Sequence, residues 1–188
     1  MFVVVFLFIF RKLASFPIGF RCEDISPRGI FAGLGAGLVF PFFSYLCYLA
    51  LSEVVYLSGF GERNNYKLHI ANLHSVGFFQ LSISVLIIWF WTALSEEVVF
   101  RGYFLQGFLR LFEKGGGGRG AYLVLSSFLF AVPHINVWGY LSVIPIFAGG
   151  MLFGFLYISC RENIFVPIIA HAVNNTFLLF VNFDSAGS

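Results

Sequence analysis

Between Arg119 and Arg161 the chain runs 41 residues without a single Asp, Glu, Lys or Arg. A bilayer core is crossed by about 20 apolar residues of helix, so this stretch holds two crossings, with a turn near Asn136–Gly139. Residues 75–95 and 163–183 are two further charge-free runs of 21 residues each. Upstream, residues 29–57 are long enough to span, with Pro41 and Glu53 predicting a tilt or kink. Soluble domains carry about 25% charged residues, which are needed to coat the surface. Here the share is 11%, against 59% hydrophobic residues, so lipid must solvate much of the chain.

The expectation is an all-α, polytopic helix bundle of about five to six transmembrane helices, a multi-pass integral membrane protein. Polar and turn-forming residues at Gly59–Asn65 and at Gly115–Gly118 separate the runs. Residues 1–74 form an N-terminal membrane region with a short first apolar segment and one long helix. Residues 75–184 form a core of about four helices. The nine apolar residues Phe2–Phe10 are too few to cross a bilayer alone, and Arg11 and Lys12 follow them, where a secretory signal would place charges first. Basic residues concentrate in alternate loops (Arg11, Lys12, Arg21, Arg28; then Arg110, Lys114, Arg119; then Arg161), which puts the first group in the cytoplasm and the C-terminus outside. A formal charge of +2 and scattered cations give no reason to expect nucleic acid as a partner. Cys22, Cys47 and Cys160 lack any CxxC spacing and read as free thiols.

Charges inside apolar runs are expensive, roughly 2.5–3.5 kcal/mol each on insertion scales, so those that occur call for an explanation. Glu96 and Glu97 directly follow a run that otherwise reads as a membrane helix and contains Ile87-Ile88-Trp89-Phe90-Trp91, and apolar sequence resumes after them. Glu97 and Arg101 are four apart and share a helix face, so they can neutralise each other. Glu96 points about 100° away and has no such partner in its helix. One carboxylate is paired and structural; the other is free for proton chemistry. The bland alternative, a helix end at the membrane surface, has comparable weight for the dipeptide alone.

His134 tips the balance. Counting back from Lys114 to Glu97 and forward from Arg119 to His134 gives 17 and 15 residues, so at 1.5 Å per residue both groups reach similar depth. His171 and Asn175 stand four apart on one face of the last run, with Asn174 turned away by about 100°. A membrane His alone is usually a helix-packing hydrogen bonder, but a second donor one turn on makes the two converge. His69 and His74 sit in a polar connector and receive no role.

A carboxylate in an apolar site can take a proton from water, and a neighbouring His can orient that water or pass the proton to a leaving amine. A further His and an Asn can donate to the oxyanion that forms on a peptide carbonyl. Glu96, His134 and His171 are also a three-ligand set for zinc, which stays open, although HExxH is absent.

Glu96-Glu97-Val98-Val99-Phe100-Arg101 resembles the EExxxR motif of the CAAX-protease and bacteriocin-processing (CPBP, or Abi) family. Phe130 to His134 is similar to its FxxxH, and His171 to Asn175 to its HxxxN, in the family's order. The resemblance implies an intramembrane, metal-independent glutamate protease. In it Glu96 and His134 activate water, His171 and Asn175 stabilise the oxyanion, and Glu97, Arg101 and Phe130 support the site. No cofactor is then required, and the implied partners are membrane lipid and a membrane-associated or lipidated peptide substrate. The competing expectation is a non-catalytic scaffold or small subunit of a larger membrane complex that keeps the family fold. A transport pathway is a third reading, for which six short helices offer little room.

Overall fold

The computed structural model describes residues 26–58, 66–70, 77–112 and 118–185. Outside them lie the Phe2–Phe10 segment with Arg11, Lys12, Arg21 and Cys22, the connector Gly59–Asn65, His74, and the loop from Lys114 to Gly117.

Helix α1 (Pro27–Leu57) starts where the sequence favours it: Pro27 opens the first turn, and the Ser26 hydroxyl accepts from the Gly29 N–H at 3.1 Å. It continues through a buried Pro41. A five-residue strand β1 (Tyr66–Ile70) follows. The second helix, α2, is one continuous helical run over residues 78–112. Two of its segments, Ile87–Ala93 and Val98–Leu105, are wound as π-helix, and regular α-helix at Leu94–Glu97 lies between them. Helix α3 (Arg119–Ala131) runs into a 3₁₀ turn at Val132–His134, where Pro133 ends the regular ladder. A single turn, α4 (Ile135–Trp138), leads to Gly139, whose φ of 77° reverses the chain. The reversal falls inside the stretch expected to turn. Helices α5 (Val143–Ser159) and α6 (Phe165–Phe180) complete the bundle, and strand β2 (Val181–Ser185) pairs antiparallel with β1, Tyr66 opposite Ser185. The last charge-free run is therefore helical only to Phe180, and its final residues belong to a two-stranded ribbon. His69 lies in that ribbon, opposite Asn182.

Among the described residues, three segments are long and apolar enough to cross a membrane: Pro27–Leu57, Phe78–Leu109 and Tyr140–Ser159. The Phe165–Leu179 stretch is apolar but shorter. Large side chains cover the outside of these helices, among them Phe31 (72% exposed), Phe78 (87%) and Trp91 (72%). A surface so continuously apolar would aggregate in water; in lipid it is the solvated face. The fold is a helical membrane bundle.

Inside, Val98, Leu105, Leu123, Tyr157 and Ile164 join α2, α3, α5 and the α5–α6 turn. Phe153, Leu156, Val166 and Ala170 join α5 to α6. Lipid tails are as apolar as leucine, so close backbone approach has to supply what hydrophobic exclusion supplies in water. Gly29, Gly33 and Gly37, spaced by four, provide it between α1 and α6. A Cβ on Gly33 would sit 2.9 Å from the Val166 carbonyl oxygen, and one on Gly37 would sit 2.5 Å from that of Ala170. The second contact is one residue from His171. α6 is tied to α2 as well, since the Trp89 indole donates to the Thr176 hydroxyl at 3.1 Å.

Candidate active site

Glu96 and Glu97 end the regular turn of α2 between its two π-helical segments. Such segments commonly mark functional stretches of a helix, because they re-aim side chains. Glu97 points inward and is fully buried. Its Oε1 accepts from Arg101 Nη1 at 2.9 Å, so the pair expected from the four-residue spacing is present. Arg101, also fully buried, donates from Nη2 to the Gly150 carbonyl at 3.0 Å. Two aromatic faces complete its surroundings: its Cζ lies 4.6 Å from the Phe130 ring centre and 5.6 Å from that of Phe153. A charge held this way is desolvated and paired, although Arg101 Nε and Glu97 Oε2 have no hydrogen-bond partner among the described residues.

His171 arrives from α6 and meets the same carboxylate. Its Nδ1 lies 2.8 Å from Glu97 Oε1, and since a carboxylate only accepts, Nδ1 is the donor. Its Nε2 is 3.8 Å from Glu96 Oε2, which has no hydrogen-bond partner among the described residues. The imidazole thus stands between the two glutamates, bonded to one and facing the other. Phe153 stacks on its ring at 5.1 Å and 19°, and Phe130 meets it edge-on at 5.9 Å. Spacing alone pairs His171 with Asn175 and reserves Glu97 for Arg101. The bond from His171 to Glu97 makes Glu97 a shared acceptor, which no local spacing could reveal.

Glu96, with 27% of its side chain exposed, is the more open carboxylate, and it lies within electrostatic reach of both His171 and His134. His134 sits in the 3₁₀ turn after α3, where its Nδ1 donates to the Phe130 carbonyl at 2.8 Å. In the neutral ring that bond leaves Nε2 as an acceptor. The Phe130 ring, 5.1 Å from His134 by centroids, packs between the two histidines and over Arg101. Asn175 is half-buried on α6, and its Oδ1 accepts from Asn174 Nδ2 at 2.9 Å. Asn174, expected to turn away, is instead buried and bonded to its neighbour.

The residues that sequence reasoning missed are Phe153, the Gly150 carbonyl and Asn174. Gly150 was legible only as one of two adjacent glycines in α5; a Cβ there would lie 3.0 Å from that of Ser127. Among the described residues, no three His, Cys, Asp or Glu side chains are grouped so as to hold a metal ion, and His171 Nδ1 is taken by Glu97.

A family model described as type II CAAX prenyl endopeptidase Rce1-like matches residues 78–177, more than half of the chain. The chain belongs to this family. The matched region opens at the start of α2 and closes on α6 two residues beyond Asn175, so it takes in Glu96, Glu97, Arg101, Phe130, His134, His171 and Asn175. No curated protein and no solved structure matches the chain.

Proposed function

We propose that this Rce1-like protein is a multi-pass intramembrane endopeptidase that hydrolyses a peptide bond of a membrane-associated or lipidated peptide, using water activated by Glu96. The observation that carries the proposal is the placement of His171, bonded to the buried, arginine-paired Glu97 and facing the uncommitted Glu96. A structural core has no use for a second carboxylate beside a histidine already satisfied by the first.

In the proposed reaction a water between Glu96 and His134 gives a proton to Glu96 as its oxygen bonds to the scissile carbonyl carbon. His134 Nε2 accepts from the water's other O–H and aims it. The carbonyl oxygen becomes an oxyanion, to which the Asn175 amide donates; His171 donates as well when its Nε2 carries a proton. Collapse breaks the C–N bond, and Glu96 returns its proton to the leaving amine. One water is consumed, giving a carboxylic acid and an amine, with Glu96 regenerated. Glu97 and Arg101 touch no reacting atom; they fix the His171 ring. Preorganised donors of this kind are usually the largest single contribution to acyl-transfer catalysis.

The test is reconstitution of the purified protein, alone, in liposomes with a farnesylated peptide ending in a CAAX sequence, the substrate class that the family's description names. Release of the terminal tripeptide, seen by mass spectrometry, is the expected result. A protein that cuts neither this peptide nor its unprenylated form, and that purifies from membranes only in a stoichiometric complex, would instead be the scaffold.

A further inference from the structure

We infer that Asn174 is a positioning residue: its side-chain N–H holds the Asn175 amide in the one orientation that presents a donor to the reacting carbonyl. The inference rests on the proposed role of Asn175 and deepens it.

An asparagine amide is nearly symmetric in shape. Turning it by 180° about χ2 exchanges a donor for an acceptor at almost no steric cost. An oxyanion site built on such a group needs something to choose the orientation, because a carbonyl aimed at a developing negative charge repels it. Asn174 Nδ2 donates to Asn175 Oδ1 at 2.9 Å. That bond occupies the Asn175 oxygen and leaves its N–H groups as the ones free to turn toward substrate. Neighbouring helix residues diverge by about 100°, so the contact requires both side chains to lean together.

A second, independent observation is the position of Asn174 itself. It is 7% exposed, and its Oδ1 has no hydrogen-bond partner among the described residues. A buried amide with an unpaired oxygen is a worse packing residue than alanine or leucine. Its presence makes sense through the one bond it does form, to Asn175.

The two roles, packing and positioning, predict opposite signs in stability. Asn174→Ala should leave Tm in detergent unchanged or raised, while kcat falls about 2- to 12-fold, the range set by losing one hydrogen bond. Asn174→Asp should be worse than Ala. A carboxylate cannot donate to the Asn175 oxygen; it attracts the Asn175 N–H groups and turns the amide carbonyl toward the site. Its kcat should approach the roughly 10²-fold loss expected for Asn175→Ala. KM should move less than twofold in each case, since the donor acts mainly on the transition state.

The closing experiment is a double-mutant cycle on the farnesylated CAAX peptide. Asn174→Asp combined with Asn175→Ala should be no slower than Asn175→Ala alone. If the losses instead multiply, or if both Asn174 variants keep wild-type kcat while Asn175→Ala does not, the positioning role is wrong and the oxyanion role of Asn175 stands. Wild-type kcat in Asn175→Ala removes the oxyanion role, and the positioning role with it. Should Asn174→Asp not fold, the same cycle run with Asn174→Ala decides between the outcomes.

Discussion

Arg101 and Gly150 are 49 residues apart in sequence, yet the guanidinium of one donates to the backbone carbonyl of the other at 3.0 Å inside the bundle. That bond fastens α2 to α5 at the level of the glutamates. It uses an Nη2 that the ion pair with Glu97 leaves over, so one buried cation serves both as the counter-charge within a helix and as the link between two.

Arg101→Ala would leave Glu97 buried without its cation, with only the His171 N–H donating to it. Breaking such a pair costs about 3–5 kcal/mol. Glu96 is partly exposed and bonded to nothing in its own helix, so Glu96→Ala should cost much less. Thermal unfolding in detergent should rank Arg101→Ala well below Glu96→Ala, and equal losses from the two changes would contradict the division between a structural and a chemical carboxylate.

Phe153 offers a separate handle on His171. Phe153→Leu keeps most of the buried volume but removes the ring that stacks on the imidazole at 5.1 Å. Aromatic pairing beyond area burial is worth about 0.5–1.5 kcal/mol. If that interaction holds His171 in its reactive orientation, kcat should drop roughly 2- to 12-fold with little change in KM. A rise in KM with kcat unchanged would show that Phe153 shapes the substrate channel instead.

The glycine stripe of α1 makes a sharper contrast. Gly37→Val places a branched side chain where even a Cβ lies 2.5 Å from the Ala170 carbonyl, so α1 must move off α6 beside His171. At Gly35 a Cβ would meet nothing within 4 Å, and Gly35→Ala should be neutral or stabilising by up to about 1 kcal/mol through helix propensity. The melting temperature should fall for Gly37→Val and hold or rise for Gly35→Ala. Matching behaviour would mean that α1 does not pack through this face.

How much of this is legible depends on distance along the chain. Glu97 with Arg101 can be read directly, because four residues on a helix fix a shared face and both charges need an answer to lipid. A common depth for Glu97 and His134 is read by counting out from one loop. The choice by His171 of Glu97 over Glu96 cannot be read, since it depends on how α6 is rotated against α2. Sequence spacing misplaces Asn174 because a 100° offset describes Cβ directions, whereas two amides can lean across that angle and bond. The four-residue repeat of Gly29, Gly33 and Gly37 is a close-packing signal in its own right, but it does not say which helix it packs against. The pairing of Tyr66–Ile70 with Val181–Ser185 joins strands more than a hundred residues apart, and no turn chemistry announces it.

The central claim is that Glu96 takes the proton of the attacking water. Glu96→Gln preserves size and shape but cannot accept that proton, and Glu96 has no ion pair within its own helix to lose. Steady-state cleavage of the farnesylated CAAX peptide by this variant in liposomes is the most direct test, with Tm measured on the same sample. The expected result is an unchanged Tm and a kcat lower by roughly 10²–10⁴-fold, the contribution typical of a general base. A folded Glu96→Gln protein that cuts the peptide at the wild-type rate would contradict the account and move the chemistry to another group.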